Sequence, residues 1–257
     1  MQTNQTIYQR STKFRKEYIE STPSWYKGQY HLAFTLVFTG SVLIFSLLKI
    51  HGLTNSELWS ILPIFLFGNW AEWAGHRYIL HNPNGPLKAV YKRHVGTHHQ
   101  FFTHLTLGYK GNKEWRALLF PPLAPVLFVV SAIPLAILGG LLFSSNVAYI
   151  MMATMASYYL MYECLHTLSH IQNSVFLDNL PLVNTVRRMH VAHHNPEFMH
   201  QYNFNLTFPI CDLLFGTSDA KVGVIRGLFA GMSEKYIRPE LKQVEDNQNK
   251  TKEVINE

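Results

Sequence analysis

Histidine is the residue type whose number and spacing in this sequence could do chemistry. Fourteen histidines occur, and twelve of them lie in two clusters. The first cluster reads HRYILH, then HVGTHH, and the second reads HTLSH, then HVAHH, each with one further histidine after it. The members are His76, His81, His94, His98, His99 and His104 in the first cluster, and His166, His170, His190, His193, His194 and His200 in the second. Both clusters therefore share one layout, a spaced pair followed by a histidine and then two adjacent ones.

These spacings suit metal binding by imidazole. On an α-helix, residues four apart share a face with side chains about 5 to 6 Å apart, close enough to hold one ion. His166 with His170 fits that geometry, and so does His94 with His98. In HVAHH the first histidine reaches the other two at i+3 and i+4, while the adjacent pair diverges by about 100°. One helix can thereby serve two neighbouring metals.

The first pair is spaced differently. His76 and His81 are five apart and point about 140° apart on an ideal helix, so they serve different metals or need a helix end between them. The ten histidines of the boxes exceed what one ion can bind, whereas two ions with about five ligands each keep open coordination positions. We therefore expect a binuclear site, although imidazole suits zinc, copper, iron and nickel alike. The isolated His31 and His51 are interpreted as structural.

The elements that must position these histidines are apolar. Charged residues make up 15% of the chain and apolar residues 47%, whereas soluble domains carry about 25% charged residues. Four apolar runs approach the roughly 20 residues that cross a bilayer as a helix; they are residues 31–50, 58–75, 118–143 and 147–165. The second and fourth runs lead directly to His76 and His166. We expect an all-α integral membrane protein with four transmembrane helices, the alternative being buried helices of a soluble core.

The distribution of Lys and Arg predicts the orientation. These residues gather in the first 28 positions, in residues 77–116 and around Arg187, Arg188 and Lys221. The positive-inside rule then places the histidines in a cytoplasmic helical cap that holds the di-metal centre. Because the basic residues line membrane flanks and form no recognisable binding module, no nucleic-acid partner is expected.

Three regions are expected along the chain. Residues 1–30 form a polar entry segment, residues 31–217 the membrane domain, and residues 218–257 a tail that is partly disordered. Neither Cys164 nor Cys211 belongs to a CxxC pair, so neither a disulfide framework nor a thiolate site is expected.

The third apolar run contains four prolines, at positions 121, 122, 125 and 134. Proline removes a backbone donor and disrupts a helix interior. We therefore expect this run to be kinked or partly re-entrant.

The histidine boxes, their position after two apolar hairpins and the run YNFNLTFPICDLLFGT from Tyr202 to Thr217 resemble the fatty acid hydroxylase and sterol desaturase superfamily. The resemblance covers about Ile61 to Thr217. It implies a four-span membrane anchor, a cytoplasmic cap with a di-metal centre, and dioxygen-dependent hydroxylation or desaturation of lipids.

The resemblance also implies the ligands, box by box. They are His76, His81, His94, His98, His99, His166, His170, His190, His193 and His194. One departure is the three-residue gap between His94 and His98, where many members have two. His104, His200, Glu72 and Asp212 are candidates for further ligands or for groups that orient the ligands, and Glu72 is placed to bond a ligating imidazole one turn away.

The chemistry of the resembled family implies two iron ions, which zinc can replace in isolated protein, and dioxygen as co-substrate. We expect hydrogen abstraction from a fatty acyl, sterol or related hydrocarbon that enters from the bilayer, followed by oxygen rebound to give an alcohol. Loss of a second, adjacent hydrogen would instead make the protein a desaturase. Because nothing resembles a cytochrome domain, we expect a separate electron donor, cytochrome b5-like or ferredoxin-type with a reductase. A bacterial inner membrane and an endoplasmic reticulum both fit.

Three other functions stay open. A histidine-rich membrane metal transporter is the main alternative, although transport sites normally lie near the bilayer midplane. A haem-binding electron carrier needs facing histidines within the spans, where only His31 and His51 are near. An inactive relative that keeps its boxes for structure is the third.

Overall fold

The computed structural model describes residues 3–83 and 87–242. Within these ranges the regular elements are helical, and one isolated bridge joins Ala220 to Ile237. The α-helices are α1 Asn4–Ser21, α2 Gly28–Leu48, α3 Asn55–Leu58, α4 Ile61–Gly75, α5 Lys88–Arg93, α6 His99–Phe101, α7 Trp115–Leu118, α8 Leu123–Leu142, α9 Ser145–Ser169, α10 Val175–Asn179, α11 Val183–His193, α12 Ile210–Leu214 and α13 Val224–Leu228. The π-helical turns are His76–Leu80 and His94–His98, and the 3-10 turns are Asn112–Glu114 and Glu234–Tyr236. The expected all-α class is confirmed.

Contacts divide the chain into two units. The histidine unit comprises Met1–Tyr26, Glu72–Lys110 and Leu165–Glu257, and the apolar unit comprises Lys27–Ala71 and Gly111–Cys164. The predicted regions 1–30, 31–217 and 218–257 follow the chain instead, and they stay a prediction. Part of the expected tail, residues 218–242, includes α13 and a 3-10 turn, whereas residues 243–257 lie outside the described residues.

The apolar unit contains two helical stretches long and apolar enough to cross a membrane, Gly28–Leu48 and Asn112–Leu142. Only 22% of the most apolar part of each is buried, unlike the core helix of a soluble protein. The helices in the regions of the other two predicted spans, α4 and α9, do not meet the same criteria of length and hydropathy. The four-span count therefore stays a prediction.

Burial in α2 and α8 is the reverse of the soluble pattern. α2 buries Thr35 and Thr39, and α8 buries Ala136 and Gly139, while large apolar side chains are exposed. The exposed residues include Val37, Ile44, Phe45, Leu48, Leu127, Val130, Ile137 and Leu141. Small residues between helices allow close approach, and in lipid the large apolar side chains need no burial.

The third apolar run differs from our expectation. α8 is one continuous helix with Pro134 inside it, so the re-entrant alternative is wrong. Pro121 and Pro122 precede the helix, and Pro125 lies in its first turn, where no intrahelical N–H bond is lost. A membrane helix also tolerates an internal proline, because neighbouring groups satisfy the freed carbonyl.

The loops that precede α3 and α9 are fastened together by Asn146 and Glu57. Asn146 donates from Nδ2 to the His51 carbonyl at 2.8 Å and to Glu57 Oε2 at 3.2 Å, and it accepts the His51 N–H at 3.1 Å. Glu57 also closes a capping box with Thr54 and accepts a hydrogen bond from the Ser144 hydroxyl. The bond from Ser144, followed by those from Thr54, lowers the pKa of Glu57 to about 2. A polar clamp thus closes one end of the apolar unit.

In the histidine unit, two buried arginines anchor α11. Arg187 pairs with Asp178 at 2.9 Å and also donates to the Leu168 carbonyl, and Arg188 pairs with buried Asp219. We expected Arg187 and Arg188 to line a membrane flank, and the structure shows that both are buried and paired with acidic residues. The predicted orientation of the chain stays a prediction.

Asn146→Ala tests the clamp. Because it leaves the His51 N–H and carbonyl without their partner, we expect it to lower the free energy of unfolding by about 1–3 kcal/mol. Thermal unfolding in lipid nanodiscs measures the change, with the exposed neighbour Ser145→Ala as the control. Equal midpoints for both variants would contradict the clamp.

Candidate metal centre

The fold gathers nine of the ten predicted ligands into two groups. Within each group, one potential ligand atom per residue lies within 4.8 Å of all the others, and every member is buried. The first group is His76, His81, His94, His99 and His193, and the second is His98, His166, His170 and His190. Both groups belong to the histidine unit.

The Nε2 atoms converge at distances that suit a shared ion. Neighbouring Nε2 atoms within the groups are 2.9 to 3.3 Å apart. Two nitrogens that bind one ion at about 2.1 Å and at right angles are about 3.0 Å apart. Each group therefore fits one metal ion, and metal binding itself stays a prediction.

Two π-helical turns explain the pairs that are five residues apart. The His81 N–H donates to the His76 carbonyl at 3.1 Å, and the His99 N–H donates to the His94 carbonyl in the same i to i+5 pattern. The i to i+5 hydrogen bond of a π-turn brings residues five apart closer to one face than an α-helix does, and such turns are frequent at functional sites. His76 and His81 therefore join the same group, so the alternative that they serve different metals is wrong. The other alternative holds, because the helix ends at Leu80, between the two histidines.

The second π-turn, His94–His98, separates His94 from His98. We expected this pair to hold one ion, but His94 belongs to the first group and His98 to the second. Only His166 with His170 keeps the expected i, i+4 partnership. Since the widened turn pairs His94 with His99, it directs His98 to the other group.

The helix α11 serves both groups, as HVAHH predicted. His190 belongs to the second group and His193 to the first. His194 lies between them, with its ring centroid 4.4 Å from that of His190 and 4.3 Å from that of His99. Its Nε2 is buried and has no hydrogen-bond partner among the described residues, which suits the tenth predicted ligand.

Backbone carbonyls orient four of these imidazoles through Nδ1. The acceptors are Phe204 for His76 at 2.6 Å, Leu107 for His170 at 2.9 Å, Tyr202 for His193 at 2.8 Å and Phe102 for His194 at 2.6 Å. A carbonyl can only accept, so Nδ1 carries the proton and Nε2 keeps its lone pair for a metal. Sequence reasoning missed these four acceptors, because every residue has a carbonyl and the residue type carries no signal.

Two carboxylates fasten the segment that supplies two of the carbonyls. Asp212 accepts the N–H groups of Phe204 at 3.0 Å and Asn205 at 2.7 Å. Glu72 accepts the N–H groups of Leu206 at 2.5 Å and Thr207 at 3.0 Å. The described bonds of Glu72 thus hold this segment, where we expected a bond to an imidazole. Both carboxylates act on the histidines through the backbone of residues 202–207.

The two remaining candidates belong to neither group. The ring Nε2 of His104 lies 3.3 Å from Asn4 Oδ1. The backbone N–H of His104 donates to the His194 carbonyl at 3.2 Å. His200 is exposed, with its ring centroid 5.3 Å from that of His81. Their role as further ligands or orienting groups stays a prediction.

Burial keeps the grouped imidazoles neutral. It lowers the pKa of His76 to about 4, and it lowers the pKa of His94, His99 and His190 well below 6.5, with repulsion from neighbouring imidazoles adding to the effect. Neutral imidazole is the form that binds a metal. At neutral pH the site therefore offers lone pairs without first losing protons.

Asp212→Ala tests the fastening of residues 202–207. It removes the acceptor of two backbone N–H groups and loosens the carbonyls that orient His76 and His193, so we expect metal affinity to fall by about 10- to 100-fold. Competition with a chelator measures the affinity. Glu234→Ala removes an exposed acid of the same unit and serves as the control, and an equal affinity in both variants would contradict this role.

Acidification tests the neutral state of the histidines. Their pKa values in the folded chain lie below the unfolded value, so only the unfolded chain gains protons as the pH falls past about 6.5. The contribution of these histidines to the stability of metal-free protein is therefore complete above that value and decreases below it. Thermal unfolding between about pH 8 and pH 5 measures this, and a midpoint that does not fall would argue against buried neutral imidazoles.

Comparison with known proteins gives one finding. The sequence profile of the fatty acid hydroxylase family matches residues 60–217, in agreement with the resemblance that we drew for residues 61–217. Neither the search of curated proteins nor the search of solved structures gives a match. Two of the described helical stretches of the chain are candidate membrane spans. The matched stretch is more than half of the 257 residues and contains all ten predicted ligands. The chain therefore belongs to the fatty acid hydroxylase family, which makes it an oxidoreductase.

Proposed function

We propose that the chain is a membrane-bound di-iron hydroxylase that uses dioxygen to oxidise a lipid hydrocarbon. One observation carries the proposal. Two groups of buried imidazoles, each with the spacing of ligands to one ion, lie in a chain of the fatty acid hydroxylase family. The family supplies the reaction class, and the two groups support a pair of metals.

Iron is the metal that suits this reaction. Imidazole nitrogen binds several transition metals, so the donors alone do not select one. Zinc can occupy the same nitrogens in isolated protein but has no redox chemistry. Bound iron would activate dioxygen for the breaking of a C–H bond.

The contribution of the protein is orientation and exclusion of water. The carbonyls of Phe204 and Leu107 hold His76 and His170 with Nε2 directed into the groups. The rings of Phe102 and Phe204 are fully buried, and their centroids lie 4.4 Å from His170 and 5.8 Å from His76. Such an apolar shell protects a reactive oxidant from bulk water.

The substrate class follows from the apolar surfaces. A hydrocarbon chain dissolves in the bilayer, and the exposed side chains of α2 and α8 are apolar like the bilayer interior. Two helices lead along the chain to the ligands, since His76 follows α4 directly and His166 lies in α9. We therefore propose entry from the bilayer, four spans that include α4 and α9, and a cytoplasmic histidine unit.

The alternatives differ in what they require of the site. A transporter needs its ligands within the spans, yet the ten histidines belong to the histidine unit and the two candidate spans to the apolar unit. A desaturase needs the same centre and differs only in the fate of the substrate radical. The separate electron donor stays part of the proposal.

The test uses iron-loaded protein in lipid nanodiscs with a chemical reductant and isotopically labelled dioxygen. We expect about two iron ions per chain and a lipid hydroxyl that carries the label. His99→Ala and His170→Ala each remove a ligand of one group, so both should lose iron and oxygen consumption. His51→Ala changes an exposed histidine outside both groups and is the control.

Other outcomes separate the alternatives. A lipid with a new double bond and label only in water indicates a desaturase. Metal movement across vesicles without oxygen consumption indicates a transporter, and wild-type protein that consumes no oxygen with any lipid contradicts the proposed function.

A further inference from the structure

A cleft opens in the histidine unit beside the second group. It has a volume of about 630 Å³ and lies between α1, residues 105–110 and residues 171–173. The charged residues that line it are Arg15 and Lys110, and no acidic residue among those that the structure describes lines it. Lys110 is exposed, whereas Arg15 is buried. The cleft therefore favours an anionic partner.

One of the residues that line this cleft is hydrogen-bonded to the predicted ligand His170. Leu107 lines the cleft, and its carbonyl accepts the Nδ1–H of His170 at 2.9 Å. The N–H of Tyr109, another lining residue, donates to the His170 carbonyl at 3.3 Å. On its other side, the Nε2 of His170 is 2.9 Å from that of His190. One hydrogen bond and one imidazole ring therefore separate the cleft from the second group.

The guanidinium of Arg15 fixes this part of the lining in place. It donates to the carbonyls of Thr106 at 3.2 Å and Gly108 at 2.7 Å, on both sides of Leu107. It also lies 4.8 Å from the centroid of the Phe101 ring. The Leu107 carbonyl is thus held at its contact with His170 by a residue of α1.

The geometry decides what can cross between cleft and metal group. The side of His170 that faces the cleft is its protonated Nδ1, and His170 is fully buried. A hydrocarbon cannot pass through this layer of backbone and ring. An electron can cross a hydrogen bond and an imidazole, so the cleft suits a donor of electrons better than it suits the substrate.

We propose that this cleft is the docking site of a separate one-electron carrier protein with an acidic surface. The inference rests on the proposed function. Hydroxylation converts a C–H bond, dioxygen, two electrons and two protons into an alcohol and water, so two reduced carriers must each deliver one electron and leave oxidised. Electron-transfer encounters use small, transient interfaces, and opposite charges increase their rate of association.

The test begins with binding, which needs no catalysis. Full-length protein in nanodiscs of neutral phospholipid is exposed to reduced plant-type ferredoxin and to cytochrome b5, both acidic one-electron carriers, at low and high salt. Lys110→Glu and Thr12→Glu reverse or add charge at two lining residues. We expect either change to weaken binding of the carrier by about tenfold and to reduce the dependence on salt.

The matched control is Lys221→Glu, which makes the same charge change at an exposed lysine that does not line the cleft. It should bind the carrier like wild type. Equal weakening in Lys221→Glu, or no salt-dependent binding of either carrier to wild type, overturns the docking site.

A second measurement separates docking from function. With a small chemical reductant, Lys110→Glu should consume oxygen at the wild-type rate, while with the reduced carrier its apparent KM should rise about tenfold. An equal loss of oxygen consumption with both reductants would mean that Lys110 affects the metal centre itself, and it would overturn the proposal. Binding that depends on Lys110, in protein that never consumes oxygen, retains the docking site and contradicts the proposed function.

Discussion

A hydrogen bond from a protonated imidazole nitrogen to a backbone carbonyl is the interaction on which the candidate metal centre depends. A buried neutral histidine has one proton and one lone pair, and the carbonyl determines which nitrogen carries which. At His76, His170, His193 and His194 the carbonyl accepts from Nδ1. Such a bond requires a backbone that is itself fixed, and much of the histidine unit serves that requirement.

The fixing groups form a second layer of polar residues. Glu72 and Asp212 hold residues 204–207, and Arg15 holds the backbone on both sides of Leu107. Arg187 and Arg188 hold α11 through ion pairs with Asp178, which is half-buried, and with Asp219, which is buried. Removing one member of such a buried pair leaves an uncompensated charge, so these residues tie the integrity of the fold to the geometry of the ligands.

The two units differ in which kinds of side chain they bury and which they expose. The histidine unit buries polar groups and provides them with partners, whereas the apolar unit exposes large apolar side chains and buries small ones such as Ala136 and Gly139. A lipid solvent explains the second pattern, because the bilayer is as apolar as the side chains that face it. The proposed reaction would use both environments, since its substrate would dissolve in hydrocarbon and its electrons would come from the proposed carrier protein.

The sequence by itself predicted a metal site at ten histidines in repeated boxes, and it determined that the chain is helical and belongs to one family. Residue types and local spacing suffice for these conclusions, as for the i, i+4 pair of His166 and His170. Only the tertiary structure decided the grouping of the other histidines. His94 pairs with His99 because the helix widens to a π-turn, and ideal helical periodicity does not predict that. The carbonyl acceptors and the burial of Arg187 and Arg188 also depend on contacts between segments far apart in the chain, which no local pattern contains.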